Sequence, residues 1–123
     1  GHMAELADCV RRSLKETGYS CSLINARFVK PLDTELLEEL AKDHSLFVTI
    51  EENVITGGFG EQVMDYVSRA ALNVHVRNIG ISDEYVEHGN VEVLRKEVGL
   101  DRDAIVKQTI SDYLRIMENK KKR

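Results

Sequence analysis

The feature that most constrains this chain is the order of its segments, because short apolar runs with strand character alternate with longer stretches of helical periodicity. The clearest apolar run is Leu46–Ile50, which two glutamates follow, and a run of this kind is typical of a buried strand. Val74–Ile81 is a second such run, and a helical stretch separates the two. This alternation predicts an α/β protein with a mostly parallel sheet.

The chain opens on a helical pattern, in which Leu6, Val10 and Leu14 recur every four residues and Gly18 provides the stop. Cys21–Val29 is rich in apolar and β-branched residues, and we predict that it forms a strand. The first part of the chain is therefore expected to contribute one helix and one strand to the layers of the fold.

The remaining segments predict four more helices. Asp33 or Thr34 is expected to cap the second helix of the chain. The helix after the glycine-rich turn is expected to bury Val63, Met64, Val67, Ala70 and Ala71. A short helix, Val91–Val98, is expected to end at Gly99. The last helix is expected to bury Val106, Ile110, Tyr113, Leu114 and Met117.

Charge and length place limits on the domain and on its partners. A chain of 123 residues favours one domain. We expect residues 1–3 to be a tag remnant, residues 4–117 to form the domain, and residues 118–123 to be a basic, disordered tail. Four of the 17 basic residues are Lys120–Arg123, so the rest of the chain carries 13 basic against 21 acidic side chains, which disfavours nucleic acid. The sequence offers no membrane-spanning run, and we expect a cytoplasmic location.

The first candidate site lies around the expected end of the first strand. Arg27 and Lys30 fall near the carboxyl edge of that strand, where α/β sheets place ligands. They could hold a phosphate or the carboxylate of a neighbouring domain, but a surface or interdomain ion pair is the simpler interpretation.

The second candidate segment holds two glutamates, an asparagine and three glycines: Glu51, Glu52, Asn53, Gly57, Gly58 and Gly60. Adjacent residues of a strand point to opposite faces, so the two glutamates are not expected to form an acid/base pair. Backbone N–H groups of the glycines could bind an anion at the start of a helix. Close helix–strand packing, or contact with a partner's backbone, explains the glycines more simply.

The third candidate is His88, in a polar segment that also carries carboxylates. A metal site needs histidine and carboxylate ligands that converge, and His44 and His75 belong to other elements. A histidine that is hydrogen-bonded within a loop or an interface is the simpler interpretation. The residues alone therefore predict no catalytic, cofactor-binding or metal-binding set.

These segments, in this order, resemble the C-terminal domain of the transketolase-like thiamine-diphosphate enzymes. The string Asn25–Asp33 is similar to an element shared by deoxyxylulose-phosphate synthases and the beta subunits of 2-oxo acid dehydrogenases. Glu51-Glu52-Asn53-Val54 before the glycines, Asn78–Ile81 before Glu87-His88-Gly89, and Glu97–Asp101 favour the synthases. The resemblance implies a three-layer α/β sandwich with a mostly parallel sheet, like the transketolase C-terminal domain.

For function, the resemblance implies a structural domain that packs against the other domains of a transferase. The complete synthases condense pyruvate with glyceraldehyde 3-phosphate for isoprenoid and thiamine biosynthesis, and they use thiamine diphosphate and Mg²⁺. The diphosphate-binding motif is absent from this sequence, so we expect no cofactor in this chain and no activity from it alone. A dehydrogenase beta-subunit domain and a free-standing anion-binding module that uses Gly57–Gly60 remain alternatives.

The resemblance also implies a first strand before the opening helix, which this chain is expected to lack. Neighbouring strands would then carry unpaired backbone groups, and each buried unpaired group costs about 1–3 kcal/mol. The expected partners are therefore the remaining domains of the same enzyme, its homodimer mate and, for the chain alone, a second copy through self-association.

Overall fold

The computed structural model describes residues 2–24, 31–52, 57–81 and 91–122, and all structural statements below concern these residues. Six elements follow one another along the chain: α1 (His2–Glu16), α2 (Thr34–Asp43), β1 (Leu46–Glu52), α3 (Phe59–Arg69), β2 (His75–Ile81) and α4 (Val91–Lys121). Asp33 caps α2, because its Oδ1 accepts a hydrogen bond from the Leu36 N–H at 3.0 Å. The predicted strands Leu46–Ile50 and Val74–Ile81 and the first three predicted helices are therefore confirmed, apart from shifts at their ends.

The described sheet consists of β1 and β2, which pair in parallel over their full length. The register runs from Leu46 opposite His75 to Glu52 opposite Ile81. Helix α3 connects the two strands, as a parallel pair requires a crossover connection. The predicted α/β class with a parallel sheet is confirmed.

One face of the sheet packs against α2 and α3. The buried centre of this layer is formed by four residues, Leu37, Val63, Val67 and Val74, and Phe47 and Val76 of the strands pack against it. The alternation of a strand brings Phe47, Thr49 and Glu51 to this same face. Met64 was expected to be buried here but is 45% exposed, because on α3 it lies outside the Val63 and Val67 stripe.

The opposite face of the sheet packs against α1 and α4. Its buried centre contains Leu6, Val10, Leu14, Ile81 and Ile105, and Ile50 and Ile79 of the strands pack against it. The expected apolar stripe of α1 is thus confirmed. Helices on both faces of a parallel sheet make a three-layer arrangement, as the resemblance implied.

An ion-pair network attaches β2 to α4. Arg77 donates from Nε and Nη2 to the two carboxylate oxygens of Asp112, at 2.6 and 2.8 Å. Gln108 and Arg115 also donate to Asp112 Oδ1, each at 3.0 Å. Asp112 is buried, and the hydrogen bonds from Arg77, followed by the effect of Gln108, hold the pKa of its carboxyl below the usual range against the opposing effect of burial. Bidentate pairing of this kind fixes the rotation of α4 on the sheet.

The predicted strand Cys21–Val29 is wrong in its first part. Residues 21–24 have no regular secondary structure, and residues 25–29 lie outside the described residues. A strand exists only where a neighbour accepts and donates its backbone hydrogen bonds. The contact that attaches this segment to the sheet region joins two side chains, Ser22 Oγ and His44 Nε2, at 3.3 Å.

The C-terminal region also differs from the expectation. A single helix, α4, replaces the two predicted helices, and it ends at Lys121. A glycine within a helix costs only about 1 kcal/mol relative to alanine, so Gly99 alone does not end one. The buried face of α4 includes Ile105, Asp112 and Ile116, whereas Leu114 is 52% exposed. Helix α1 begins at His2.

Candidate functional site

The candidate site lies where β1 ends and α3 begins. Glu51, the penultimate residue of β1, extends beneath the first turn of α3, and its Oε1 accepts a hydrogen bond from the Gly60 N–H at 3.3 Å. A carboxylate in this position faces the positive end of the helix dipole. Glu51 therefore accepts one of the backbone N–H groups at the start of α3, where the sequence suggested an anion site.

The two glutamates separate to opposite faces of the sheet. Glu51 is half-buried beside α3, whereas Glu52 is exposed. In the register, Glu51 pairs with Gly80 and Glu52 pairs with Ile81. The alternation of side chains along a strand accounts for this separation, and it keeps the two carboxylates from acting together on one group.

Gly60 allows α3 to approach the sheet closely. A Cβ atom on Gly60 would lie 2.8 Å from Thr49 Oγ1 and 2.9 Å from both Cγ and Oδ1 of Asn78. Thr49 is buried, and its hydroxyl donates to Asn78 Oδ1 at 2.6 Å across the two strands. The helix–strand packing interpretation therefore holds at Gly60, since any side chain there would displace a buried hydrogen-bonded pair.

The other two glycines have different local roles. Gly57 has φ +79°, a conformation that glycine adopts without steric cost, and its carbonyl accepts a hydrogen bond from Gln62 Nε2 at 2.8 Å. Gly58 is the N-cap of α3 and has an extended backbone. Gly57 thus allows a left-handed backbone conformation, Gly58 caps α3, and Gly60 lets α3 pack closely against the sheet.

Four predicted site residues, Arg27, Lys30, Asn53 and His88, lie outside the described residues. His44 and His75, which the metal hypothesis considered, do not lie beside further metal ligands among the described residues. His44 Nδ1 donates to the Leu40 carbonyl at 2.8 Å, and His75 is exposed at the start of β2.

The sequence analysis did not anticipate the polar pair of Thr49 and Asn78. The sequence did carry a sign of this pair, because the polar residue Thr49 interrupts the apolar run of β1 on the face that packs against α3. A buried hydroxyl needs a hydrogen-bond partner, and the parallel register places Asn78 directly opposite it. The register between two strands was the information that the sequence alone lacked.

The described residues of this region do not form a binding site for Mg²⁺ and a diphosphate. Mg²⁺ takes oxygen ligands in near-octahedral geometry, which one isolated carboxylate does not provide. No group of three or more His, Cys, Asp or Glu side chains within ranges 2–24, 31–52, 57–81 and 91–122 could hold a metal ion. Among the helices described, none combines the length and apolarity that a membrane span requires.

Comparison with known proteins gives a consistent match over most of the chain. The family model described as transketolase, C-terminal domain, matches residues 1–105. The chain is 44% identical over 110 residues, 89% of its length, to a 1-deoxy-D-xylulose-5-phosphate synthase of Clostridium tetani. It is 43% identical over 111 residues to the synthase of Shouchella clausii, and 39% identical over 94 residues to that of Aquifex aeolicus.

The match covers only a small share of each relative. It spans 18% of the length of the Clostridium tetani and Shouchella clausii synthases and 15% of the Aquifex aeolicus synthase. The similarity therefore concerns one portion of a much longer polypeptide.

Proposed function

Because the chain belongs to the transketolase C-terminal domain family, we propose that it is the C-terminal, interdomain-packing domain of a 1-deoxy-D-xylulose-5-phosphate synthase. The observation that supports this proposal is the similarity to synthases over about nine-tenths of the chain. The complete enzyme would be a cytoplasmic transferase that condenses pyruvate with glyceraldehyde 3-phosphate. This domain would contribute structure to it and would have no activity alone.

The geometry at the carboxyl ends of β1 and β2 supports a packing role. The carboxylate of Glu51 is directed to the domain's own α3, whereas Glu52 and Gly57 at the same end are exposed. An exposed carboxylate and an exposed backbone turn at one sheet edge can accept and donate hydrogen bonds to another domain. We include Arg27, Lys30, Asn53, Gly58 and His88 in the proposed interdomain surface on the sequence pattern alone.

We propose that thiamine diphosphate and Mg²⁺ bind to the remainder of the enzyme. That cofactor supplies the nucleophilic carbanion chemistry, and a protein contributes by binding and orienting it. The described residues of this chain offer packing surfaces and one exposed carboxylate at the candidate site, a set that suits a bracing role.

Both alternatives have weaker support. The relatives reported above are synthases, which favours the synthase over a dehydrogenase beta subunit. An anion-binding module would need the N–H groups at the start of α3, and the Glu51 carboxylate already accepts one of them and would repel an anion.

Reconstitution of a split enzyme tests the proposal. The parent polypeptide without this domain is expressed separately, and synthase activity is measured with and without added chain. We expect neither piece to turn over alone and activity to appear when the two are mixed. Failure of the folded chain to restore any activity would contradict a role as this enzyme's domain.

A matched pair of variants tests the proposed surface. Glu52→Ala removes the exposed carboxylate at the carboxyl edge, and we expect more chain to be needed for half-maximal activity. Glu118→Ala removes another exposed carboxylate, near the C-terminal end of α4, and we expect no change. Equal effects of the two variants would place the domain contact elsewhere.

We further propose that the isolated chain associates with itself. The described sheet has only two strands, while two helices, α1 and α4, pack side by side on one of its faces. Packed helices lie about 8–10 Å apart, whereas neighbouring strands lie only about 4.8 Å apart. Two helices side by side are therefore wider than two paired strands. This difference supports the proposal that a further strand completes the sheet.

A further inference from the structure

The hydrogen-bonded pair of Thr49 and Asn78 lies beneath the first turn of α3, where that helix packs on β1 and β2. We propose that this pair positions the start of α3 and its glycine turn, and that it thereby shapes the surface that meets the remaining domains of the synthase. The inference rests on the proposed function and assigns Thr49 and Asn78 as positioning residues of its interdomain surface. Three observations carry it: the burial of a polar pair, its contact with Gly60, and the attachment of the exposed turn to α3.

The pair lies in a helix–sheet layer whose buried centre is apolar. Thr49 is 7% exposed, and the centre of this layer is formed by Leu37, Val63, Val67 and Val74. A hydrogen bond between buried groups adds little net stability, because both groups give up hydrogen bonds to water. Valine has the shape of threonine and would fill the same space without needing a partner. What the pair adds is direction, because a 2.6 Å hydrogen bond holds both side chains in one orientation.

Gly60 brings the backbone of α3 onto this pair. A Cβ atom at Gly60 would lie 2.8 Å from Thr49 Oγ1 and 2.9 Å from Asn78 Oδ1, so the first turn of α3 rests directly on the two polar side chains. The Gly60 N–H also donates to Glu51 Oε1 at 3.3 Å. One close contact and one hydrogen bond therefore fix the position of the first turn relative to β1.

Gln62 attaches the exposed glycine turn to α3. Its backbone N–H donates to the Gly58 carbonyl at 3.0 Å, and its side-chain Nε2 donates to the Gly57 carbonyl at 2.8 Å. Gly57 is exposed, and a backbone without side chains allows another backbone to approach closely. The glycine turn thus moves together with α3, and a shift of α3 on the pair of Thr49 and Asn78 would shift this exposed backbone.

A turn that is held in one conformation suits contact with a folded partner. Such a turn loses little conformational freedom on docking, which favours binding. A phosphate or another small anion is disfavoured, because Glu51 already accepts the Gly60 N–H and its charge would repel an anion. The partner that these observations fit is therefore a folded domain of the same enzyme.

Replacement of both polar partners by apolar residues tests the positioning role. Thr49→Val with Asn78→Val removes the hydrogen bond without leaving an unpaired polar group, a change that affects stability little. In the reconstitution assay we expect this double variant to need about fivefold more chain, or more, for half-maximal activity.

Val67→Ala is the matched control, because it removes buried methyl groups from the same helix away from its first turn. We expect it to lower the urea midpoint more than the double variant does and to leave the half-maximal concentration unchanged. An unchanged half-maximal concentration in the double variant, or an equal increase in Val67→Ala, would overturn the positioning role.

A conservative change and the amide signals of the chain alone separate positioning from folding. Thr49→Ser keeps the hydroxyl donor, and we expect it to keep the wild-type half-maximal concentration. In nuclear magnetic resonance spectra of the chain alone, we expect the amide signals of Gly57 and Gly58 to shift in the double variant but not in Thr49→Ser. Signals that stay in place in the double variant would contradict the positioning of the turn by this pair.

These outcomes distinguish the inference from the function on which it rests. A wild-type chain that restores no activity to the truncated enzyme would refute the synthase proposal, and with it this inference. A wild-type chain and a double variant that restore activity at the same concentration would refute the positioning role alone.

Discussion

Replacement of Gly60 by alanine is expected to destabilise the domain, although alanine is the better helix former. The new Cβ would lie 2.8–2.9 Å from side-chain atoms of Thr49 and Asn78, and these atoms must shift, which strains the 2.6 Å hydrogen bond between them. Overpacking of this kind costs about 1–3 kcal/mol, and a strained buried hydrogen bond costs about 1 kcal/mol more. The helix-propensity gain of about 1 kcal/mol offsets part of this loss.

The net expectation for Gly60→Ala is a loss of about 1–3 kcal/mol in the free energy of unfolding. Urea unfolding followed by circular dichroism measures it, at one protein concentration for all variants. Ser68→Ala, at an exposed position of the same helix, is the control for propensity and should be neutral or slightly stabilising.

A double-mutant cycle with Asn78→Ala identifies the cause. This change removes two of the three atoms that the new Cβ would meet, so the double variant should lose less stability than the two single losses combined. A Gly60→Ala variant as stable as the wild type, or strictly additive losses in the cycle, would refute the close-packing explanation.

Three further outcomes are expected. Asp112→Asn should lower the free energy of unfolding by about 1–3 kcal/mol in urea titrations, because it weakens the charge-assisted hydrogen bonds of a partly buried ion pair. The pKa of Asp112 is lowered in the folded state, so its contribution should be present at neutral pH and decline below about pH 5, and the difference between wild type and Asp112→Asn should shrink there. Asp33→Ala removes the α2 cap and should cost about 1 kcal/mol by the same assay, and no loss would contradict the capping role. Phosphate or glyceraldehyde 3-phosphate should cause no saturable amide shifts at Gly57–Gly60 below about millimolar concentration, since Glu51 occupies that helix end; saturation at lower concentration would favour the anion-binding module.

The elements with strong local signals were predictable from the sequence. Leu6, Val10 and Leu14 define the buried face of α1, and β1 contains the whole apolar run Leu46–Ile50 and continues to Glu52. These signals are local, because helical periodicity and alternation depend only on neighbours in the chain. The opposite orientation of Glu51 and Glu52 followed from the same alternation.

The structure differs from the sequence predictions where tertiary contacts determine the conformation. Cys21–Ile24 has the composition of a strand but lacks a described pairing partner, and composition does not supply one. Helix α4 continues past Gly99 and is held on the sheet by the Asp112 network, which joins residues 35 positions apart. The glycines indicated close packing of α3 on a strand, but the hydrogen bond between Glu51 and Gly60 depends on which strand residue meets the helix, which the sequence pattern does not give.

The role of this chain as a packing domain can be tested by calorimetric titration of thiamine diphosphate with Mg²⁺ into the purified chain, with carbon dioxide release from pyruvate measured on the same sample. We expect no saturable heat at micromolar cofactor and no carbon dioxide above the protein-free rate. Tight cofactor uptake or turnover by the chain alone would contradict its assignment as a packing domain that leaves the chemistry to the rest of the enzyme.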